Sequence, residues 1–351
     1  MRPHTLVCRL DSMGDVLLMG PAVRAIAARS RRVTMLAGPR GRAAAELLPG
    51  VDDVICFEAP WIDPQPKQVD AGAIARLDHR LGLLDIDRAV IFTSFHQSPL
   101  PLALLLRLSD VPFVAAICED YPGSLLDVRH RPPDGLHEVE RALSLAEAVG
   151  CSLPQGDTAA LAVARPDPPP EEVRRLDRYV VVHPGTSVPA RAWPPERHAE
   201  LVERLLESGR KVVVTGTADE AELTALVTGA PRDGVLNYGG LTELRTLAAV
   251  LAGAECVVAG NTGPAHLAAA VGTSVVSLFA PTVPASLWRP WGVPTLVLGD
   301  QEAPCAGTRA KTCPVPGHPC LTGVTAVAVM AAVEELAPRS ERREQTQRIA
   351  S

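Results

Sequence analysis

The feature that most constrains this chain is a grammar written into it twice. Short β-branched runs alternate with Ala-, Leu- and Arg-rich stretches of helical character, which is the pattern of parallel α/β units. In the first half, strands are expected at 5–8, 33–37, 54–57, 89–92 and 113–117, with helices filling much of the space between. Gly20-Pro21 ahead of 22–28 marks a helix start, because Pro presets the backbone angle of a first turn. Between 150 and 177 the periodicity fails, and Arg165-Pro166-Asp167-Pro168-Pro169-Pro170 can continue neither a helix nor a central strand. The grammar then restarts, with strands at 179–183, 211–215, 256–259 and 274–279 and helices at 195–208, 219–228, 242–251, 264–271 and 325–336. A chain of 351 residues also exceeds what one hydrophobic core usually organises. The expectation is an α/β protein of two Rossmann-like domains, 1–165 and 166–338, followed by a charged tail at 339–351. Open sheets of this kind bind ligands beyond the carboxyl ends of their strands, so the two domains are expected to face each other across a cleft.

The net charge of −6 argues against a nucleic-acid surface, which needs a basic face to release counterions from phosphate. Met1 leads almost directly into Leu6-Val7 without a positively charged leader or a long apolar core, so a secretory signal is not expected and the cytoplasm is the default address. The densest apolar run, 99–108, is interrupted by Pro101 and Arg107 and is too short to span a bilayer. Eight cysteines are scattered along the chain, as expected of thiols buried like small hydrophobes in a reducing compartment. Cys305, Cys313 and Cys320 lack the paired C-x2-C spacing of common structural zinc sites and read as incidental thiols of a Pro-rich loop.

Four segments could carry chemistry, and each lies where a strand runs into a small-residue loop before a helix. The first is Arg9-Leu10-Asp11-Ser12-Met13-Gly14-Asp15. Gly14 would permit close backbone approach or a positive φ, and Asp15 is either a cap accepting backbone N–H bonds or a catalytic base. The second is His183-Pro184-Gly185-Thr186-Ser187 with Arg191-Ala192-Trp193-Pro194, whose hydroxyls, free amides and guanidinium suit a phosphate. The same residues fit an ordinary turn with Trp193 as a packing residue. In the third, Thr215 to Glu220, Glu220 either accepts from ribose hydroxyls or complements a helix dipole. The fourth is Asn261-Thr262-Gly263-Pro264-Ala265-His266, where Thr262 and the Gly263 amide can hold phosphate or sugar oxygens and His266 is a positioning or structural residue.

Taken in order, Arg9 to Pro21, His183 to Glu196, Asn261 to Ala270 and Phe279-Ala280-Pro281-Thr282 resemble the successive signatures of glycosyltransferase family nine, the heptosyltransferases, over about 6–336. The resemblance implies a GT-B architecture, with an N-terminal acceptor-binding domain and a C-terminal donor-binding domain. It implies inverting transfer of heptose from an ADP-activated donor to a saccharide or glycolipid acceptor, without a metal or other cofactor, as in lipopolysaccharide assembly. By that likeness Asp15 is the base, with Arg9, Ser12 and Gly14 supporting its loop. Thr186, Ser187 and Arg191 hold the donor diphosphate, Glu220 meets the nucleoside, and Asn261, Thr262, Gly263 and His266 lie near the donor sugar and phosphates. Two departures bear on the donor: Asn261 stands where the family has Asp, and Phe279-Ala280-Pro281-Thr282-Val283-Pro284 lacks a Gly and an Asp of the family pattern.

Competing readings remain open. Paired α/β domains also bind nicotinamide dinucleotides, but the first loop lacks the G-x-G-x-x-G that an oxidoreductase needs to seat a pyrophosphate. A catalytically idle nucleotide-sugar-binding protein is the other. Acceptor contacts are expected from loops at 61–68, 95–101 and 121–131. There Arg129-His130-Arg131 fits an acceptor phosphate, peripheral contact with the inner membrane surface, or a solvated charged turn.

Overall fold

A computed structural model describes residues 1–63, 65–164 and 166–338, so the tail expected at 339–351 lies outside the described residues. Over the described residues the chain divides into two compact units, 1–166 with 286–292, and 167–285 with 293–338. The short segment 286–292 follows the second unit's fifth strand in sequence but folds with the first.

In the N-terminal unit, β1 (His4–Arg9), β2 (Arg32–Ala37), β3 (Asp53–Cys56), β4 (Arg88–Ile91), β5 (Val114–Ile117) and β6 (Val128–His130) form one sheet. Their order is β3-β2-β1-β4-β5-β6, with every pairing parallel. The C-terminal unit repeats the plan with β7 (Tyr179–His183), β8 (Lys211–Gly216), β9 (Val235–Gly239), β10 (Cys256–Gly260), β11 (Val275–Leu278) and β12 (Thr295–Leu298), ordered β12-β11-β10-β7-β8-β9. Read from its own first strand, each sheet is the doubly wound Rossmann order, and its strand order reverses beside β1 or β7. Loops leaving β1 and β4, or β7 and β10, therefore meet at the ligand-binding edge.

The cores explain why these runs became strands. Leu6, Cys8, Leu36, Ala89, Ile91, Val114 and Ala116 pack together in the N-terminal unit, as do Val180, Val182, Val212, Val214, Val258 and Val276 in the C-terminal unit. A central parallel strand is covered on both faces, hence β-branched residues without polar alternation. Each such side chain contributes roughly 1.5–3 kcal/mol by leaving water. Helices start where Pro needs no amide partner, at Pro21 in Gly20–Ala27, Pro101 in Leu100–Leu108, Pro195 in Pro195–Glu207 and Pro264 in Gly263–Ala270. Among the described residues no helix is long and apolar enough to cross a membrane.

Candidate functional site

In the N-terminal unit the segment after β1 turns straight into the helix Met13–Leu18, with Ser12 in extended backbone ahead of it. Gly14 sits buried within this helix and is absent from the positive-φ glycines, so its backbone freedom is not used. A glycine is needed instead at Gly38, where a Cβ would stand 2.3 Å from the Leu10 carbonyl oxygen. That lets the chain leaving β2 close onto Leu10.

Arg9 ends β1 with its guanidinium only 3% exposed and gathers the acids around it. Its Nε lies 2.8 Å from Asp11, and its Nη2 lies 3.1 Å from Asp15, 3.0 Å from the Ser94 hydroxyl and 3.8 Å from Glu138. Ser12 donates to Asp15 from its hydroxyl at 2.5 Å and from its amide at 3.2 Å, so Asp15 also closes a capping box as the third helical residue. The cap is real, and it coexists with an ion pair that a cap does not require. Gln97 donates to Asp11 from the loop after β4. Burial alone would raise Asp15, but Arg9 and the Ser12 hydroxyl and amide outweigh it and hold the carboxyl below its usual range. For Asp11 and Glu138 burial prevails over Arg9 and both are pushed up. Ser94, Glu138 and Arg141 carry no sequence signal of their own, and Gln97 lies in the loop 95–101 expected to meet the acceptor. Only the return of β4 and of helix Glu138–Ala148 to β1 assembles them.

The equivalent loop of the C-terminal unit, after β7, holds almost no charge. His183 is buried, its Nδ1 3.0 Å from the Thr215 hydroxyl, and burial pushes it down to about 4 against the opposing influence of Glu220. At Gly185 a Cβ would stand 2.1 Å from the Glu220 carboxylate, so only glycine leaves Glu220 its place over the loop. Glu220 also accepts from the Thr217 amide at 2.8 Å in a capping box. The Thr186 hydroxyl accepts from the Val188 amide at 3.2 Å, turning the loop, and Ser187 is exposed. Arg191 is half-buried on the turn Pro189–Arg191, whose backbone lies against Gly260 at the end of β10. Trp193 is a core residue, donating to the Val324 carbonyl at 3.0 Å and meeting His198 edge-on with centroids 4.7 Å apart.

After β10, Thr262 caps helix Gly263–Ala270 without a side-chain bond to it, and His266 is buried in the helix. Asn261 is 7% exposed. The structure thus brings Gly185, Glu220, Arg191 and Gly260 to one edge of the C-terminal sheet, and Arg9, Ser12 and Asp15 to one edge of the N-terminal sheet.

Cys305 and Cys320 are buried with their thiols in contact, and burial with Cys305 beside it pushes Cys320 up to about 12. The Cys313 thiol donates to the Val315 carbonyl at 3.4 Å. Among the described residues, no three His, Cys, Asp or Glu side chains converge as a metal set. Arg129 and Arg131 donate to the backbone carbonyls of Cys118 and Glu119, and His130 meets the Ser144 hydroxyl at 2.9 Å. A cavity of the N-terminal unit, about 500 Å³, lies beyond β3 and does not include Asp15; Lys67, Arg76 and Arg80 line it together with Glu58, Asp63 and Asp70.

Comparison with known proteins gives the same family from several directions. Residues 100–318 match the model of glycosyltransferase family 9 (heptosyltransferase). Lipopolysaccharide heptosyltransferase 1 of Pseudomonas aeruginosa is 36% identical over 188 residues, 51% of this chain and 49% of that protein. Lipopolysaccharide heptosyltransferase 3 of Escherichia coli is 29% identical over 170 residues, 46% of this chain and 48% of that protein. The chain thus aligns with about half the length of these curated relatives. The structure of E. coli ADP-heptose lps heptosyltransferase II superposes with TM-score 0.71 at 21% identity, covering 95% of this chain and 98% of that one. A family 9 glycosyl transferase from Veillonella parvula gives TM-score 0.77 at 15% identity, covering 97% and 98%. These likenesses establish the fold, the two-unit Rossmann-like GT-B plan. With its family model spanning more than half of its length, the chain belongs to glycosyltransferase family 9, the heptosyltransferases.

Proposed function

We propose that the protein is an inverting, metal-independent glycosyltransferase that moves a heptose from ADP-heptose to a hydroxyl of a saccharide or glycolipid acceptor. The observation that carries this reading is Asp15. It is a half-buried carboxylate just beyond the carboxyl end of β1, kept ionised by Arg9 and Ser12 and so ready to take a proton. In the step we infer, the acceptor oxygen attacks the anomeric carbon while its proton passes to Asp15 Oδ. The bond from that carbon to the diphosphate oxygen breaks, and its electron pair leaves on the nucleotide. Thr186, Ser187, Arg191, Thr262 and the Gly263 amide hold the charge that develops there. Glu220 meets the nucleoside and His266 steadies the helix behind the sugar loop. The family resemblance supports metal independence, as does the lack of an Asp-x-Asp pair in these loops.

The names of the similar proteins support the donor, since solved relatives include E. coli heptosyltransferase WaaC with ADP and with ADP-2-deoxy-2-fluoro heptose. A cytoplasmic protein working at the inner membrane surface fits a glycolipid acceptor.

The test is a donor screen by mass spectrometry, offering ADP-heptoses beside GDP-, UDP- and dTDP-sugars with a heptose-deficient core saccharide. An acceptor gaining one heptose, with ADP released and the anomeric configuration inverted, is the expected result. Nucleotide-sugar binding without any product would leave an idle binding protein instead.

A further inference from the structure

Beside Asp15 the N-terminal unit holds a cavity of about 10 Å³, room for one water molecule, lined by Arg9, Asp15, Glu138 and Arg141 and by the apolar Phe92 and Ile117. Glu138, the first residue of its helix, is 6% exposed, yet its carboxylate stands 3.8 Å from Arg9 Nη2 and 3.6 Å from Arg141 Nη1. Neither distance is a hydrogen bond. The same Arg9 Nη2 is 3.1 Å from Asp15. Two carboxylates therefore share one guanidinium nitrogen and one water-sized cavity, and the chemistry proposed above uses only one of them.

We propose that Glu138 is a positioning residue for transfer, the second site of a proton relay in which the proton taken by Asp15 passes through a water in this cavity to Glu138. The relay rests on the reading of Asp15 as the base. The acceptor O–H bond breaks and its proton binds Asp15 Oδ. Asp15 gives that proton to the water as the water gives one of its own to Glu138 Oε. Asp15 returns to its carboxylate, and Glu138 is left as a carboxylic acid that later loses its proton to solvent. No oxidant, reductant or further co-reactant enters.

Electrostatics set the direction. Asp15 is held below the usual carboxyl range and is a weak base, whereas burial pushes Glu138 above it, so the handover runs toward the more basic group. The charged groups facing Glu138 are Arg9 and Asp11 at the end of β1, Asp15 on the next helix and Arg141 on its own. Glu119, after β5, faces Arg141, and His96, after β4, faces Asp11.

The experiment compares pH profiles of kcat and kcat/KM for wild type, Glu138→Gln, Glu138→Asp and Asp15→Asn, each first shown to be folded by circular dichroism. In wild type the acid limb should lie above the ordinary carboxyl range. Glu138→Gln should lower the kcat plateau about tenfold, move the limb at least about one pH unit lower and leave donor KM within about twofold, with Glu138→Asp restoring most of the rate. A group that only packs would not move the limb. A Glu138→Gln enzyme with the wild-type plateau and limb, beside an inactive Asp15→Asn, overturns the relay and leaves the base reading standing. Full turnover by Asp15→Asn removes the base itself. Should Glu138→Gln not fold, Ala142→Leu fills the cavity from its wall. It should cost several-fold in kcat, and an unchanged kcat refutes the relay.

Discussion

The two units share one strand order but put opposite chemistry at the end of their first strands. After β1 the N-terminal unit buries a cluster of full charges, with Arg9 holding Asp11, Asp15 and Glu138. After β7 the C-terminal unit offers hydroxyls, glycines and a histidine kept neutral by burial. A preassembled ion cluster suits a group that must exchange a proton on demand. A loop of amides, hydroxyls and one half-buried Arg191 suits an anion that arrives with its own charge. On the proposed reading one fold hosts two tasks because its loops, and not its sheet, decide the local electrostatics.

The largest effect expected from breaking this contrast is Arg9→Ala. It would leave Asp11 and Asp15 without their counter-charge and Glu138 with Arg141 alone, at a cost of about 3–5 kcal/mol, concentrated in the N-terminal unit. Chemical denaturation read by hydrogen exchange should show that unit opening first in the variant; equal stability of both units would mean the cluster is dispensable.

Acid should reverse the order in wild type. His183 and His198 are pushed down to about 4 and about 3 by burial, so the unfolded chain binds their protons first. Their contribution is intact above about pH 6.5 and is lost as pH falls toward 4 and then 3, each histidine costing about 1.4 kcal/mol for every pH unit between its unfolded and folded titration. In the N-terminal unit the raised Asp11 and Glu138 gain protons in the folded state and offset part of the loss from Asp15 and from His4, His130 and His137, which burial also pushes down. Hydrogen exchange between pH 6.5 and 4 should show protection failing first around β7, β8 and helix Pro195–Glu207; earlier failure around β1 would contradict the assignment.

Arg191→Ala, which would remove the phosphate contact proposed for that side chain, should weaken ADP binding by roughly 1.5–3 kcal/mol without touching the N-terminal cluster. Unchanged affinity by calorimetry removes Arg191 from the donor site. Asn261→Asp should have the smallest effect on the fold and shift the kcat/KM ratio between two epimeric donors by roughly tenfold, because a carboxylate only accepts where the amide also donates. An unchanged ratio would return Asn261 to shaping the loop.

The contrast between strands also shows what a sequence exposes. Central strands such as β1, β7 and β10 read clearly, since covering on both faces demands unbroken runs like 179–183. The unforeseen strands β6, β9 and β12 are all sheet edges, with partly exposed side chains and polar residues such as Arg129 and Asn237. An edge strand is defined by the neighbour it pairs with more than by its own residues. The site divides likewise. Asp15, Arg191 and Asn261 stand in local loops that announce themselves, whereas Ser94, Gln97 and Glu138 reach Arg9 and Asp11 only through pairings made far along the chain. Segment 286–292 returns to the N-terminal unit, where His137 caps its own helix through Nδ1 and meets the Arg289 carbonyl at 2.9 Å through Nε2. The cap is local and readable; the second contact is one that no window of sequence displays.

Asp15→Asn is the sharpest test of this division of labour between the units, with ADP affinity and heptosyl transfer measured on the same preparation. Turnover should fall by about 10²-fold or more while ADP affinity stays within several-fold of wild type. Near-full turnover would make Asp15 a helix cap alone, and loss of ADP binding together with turnover would contradict the assignment of proton and anion to separate units.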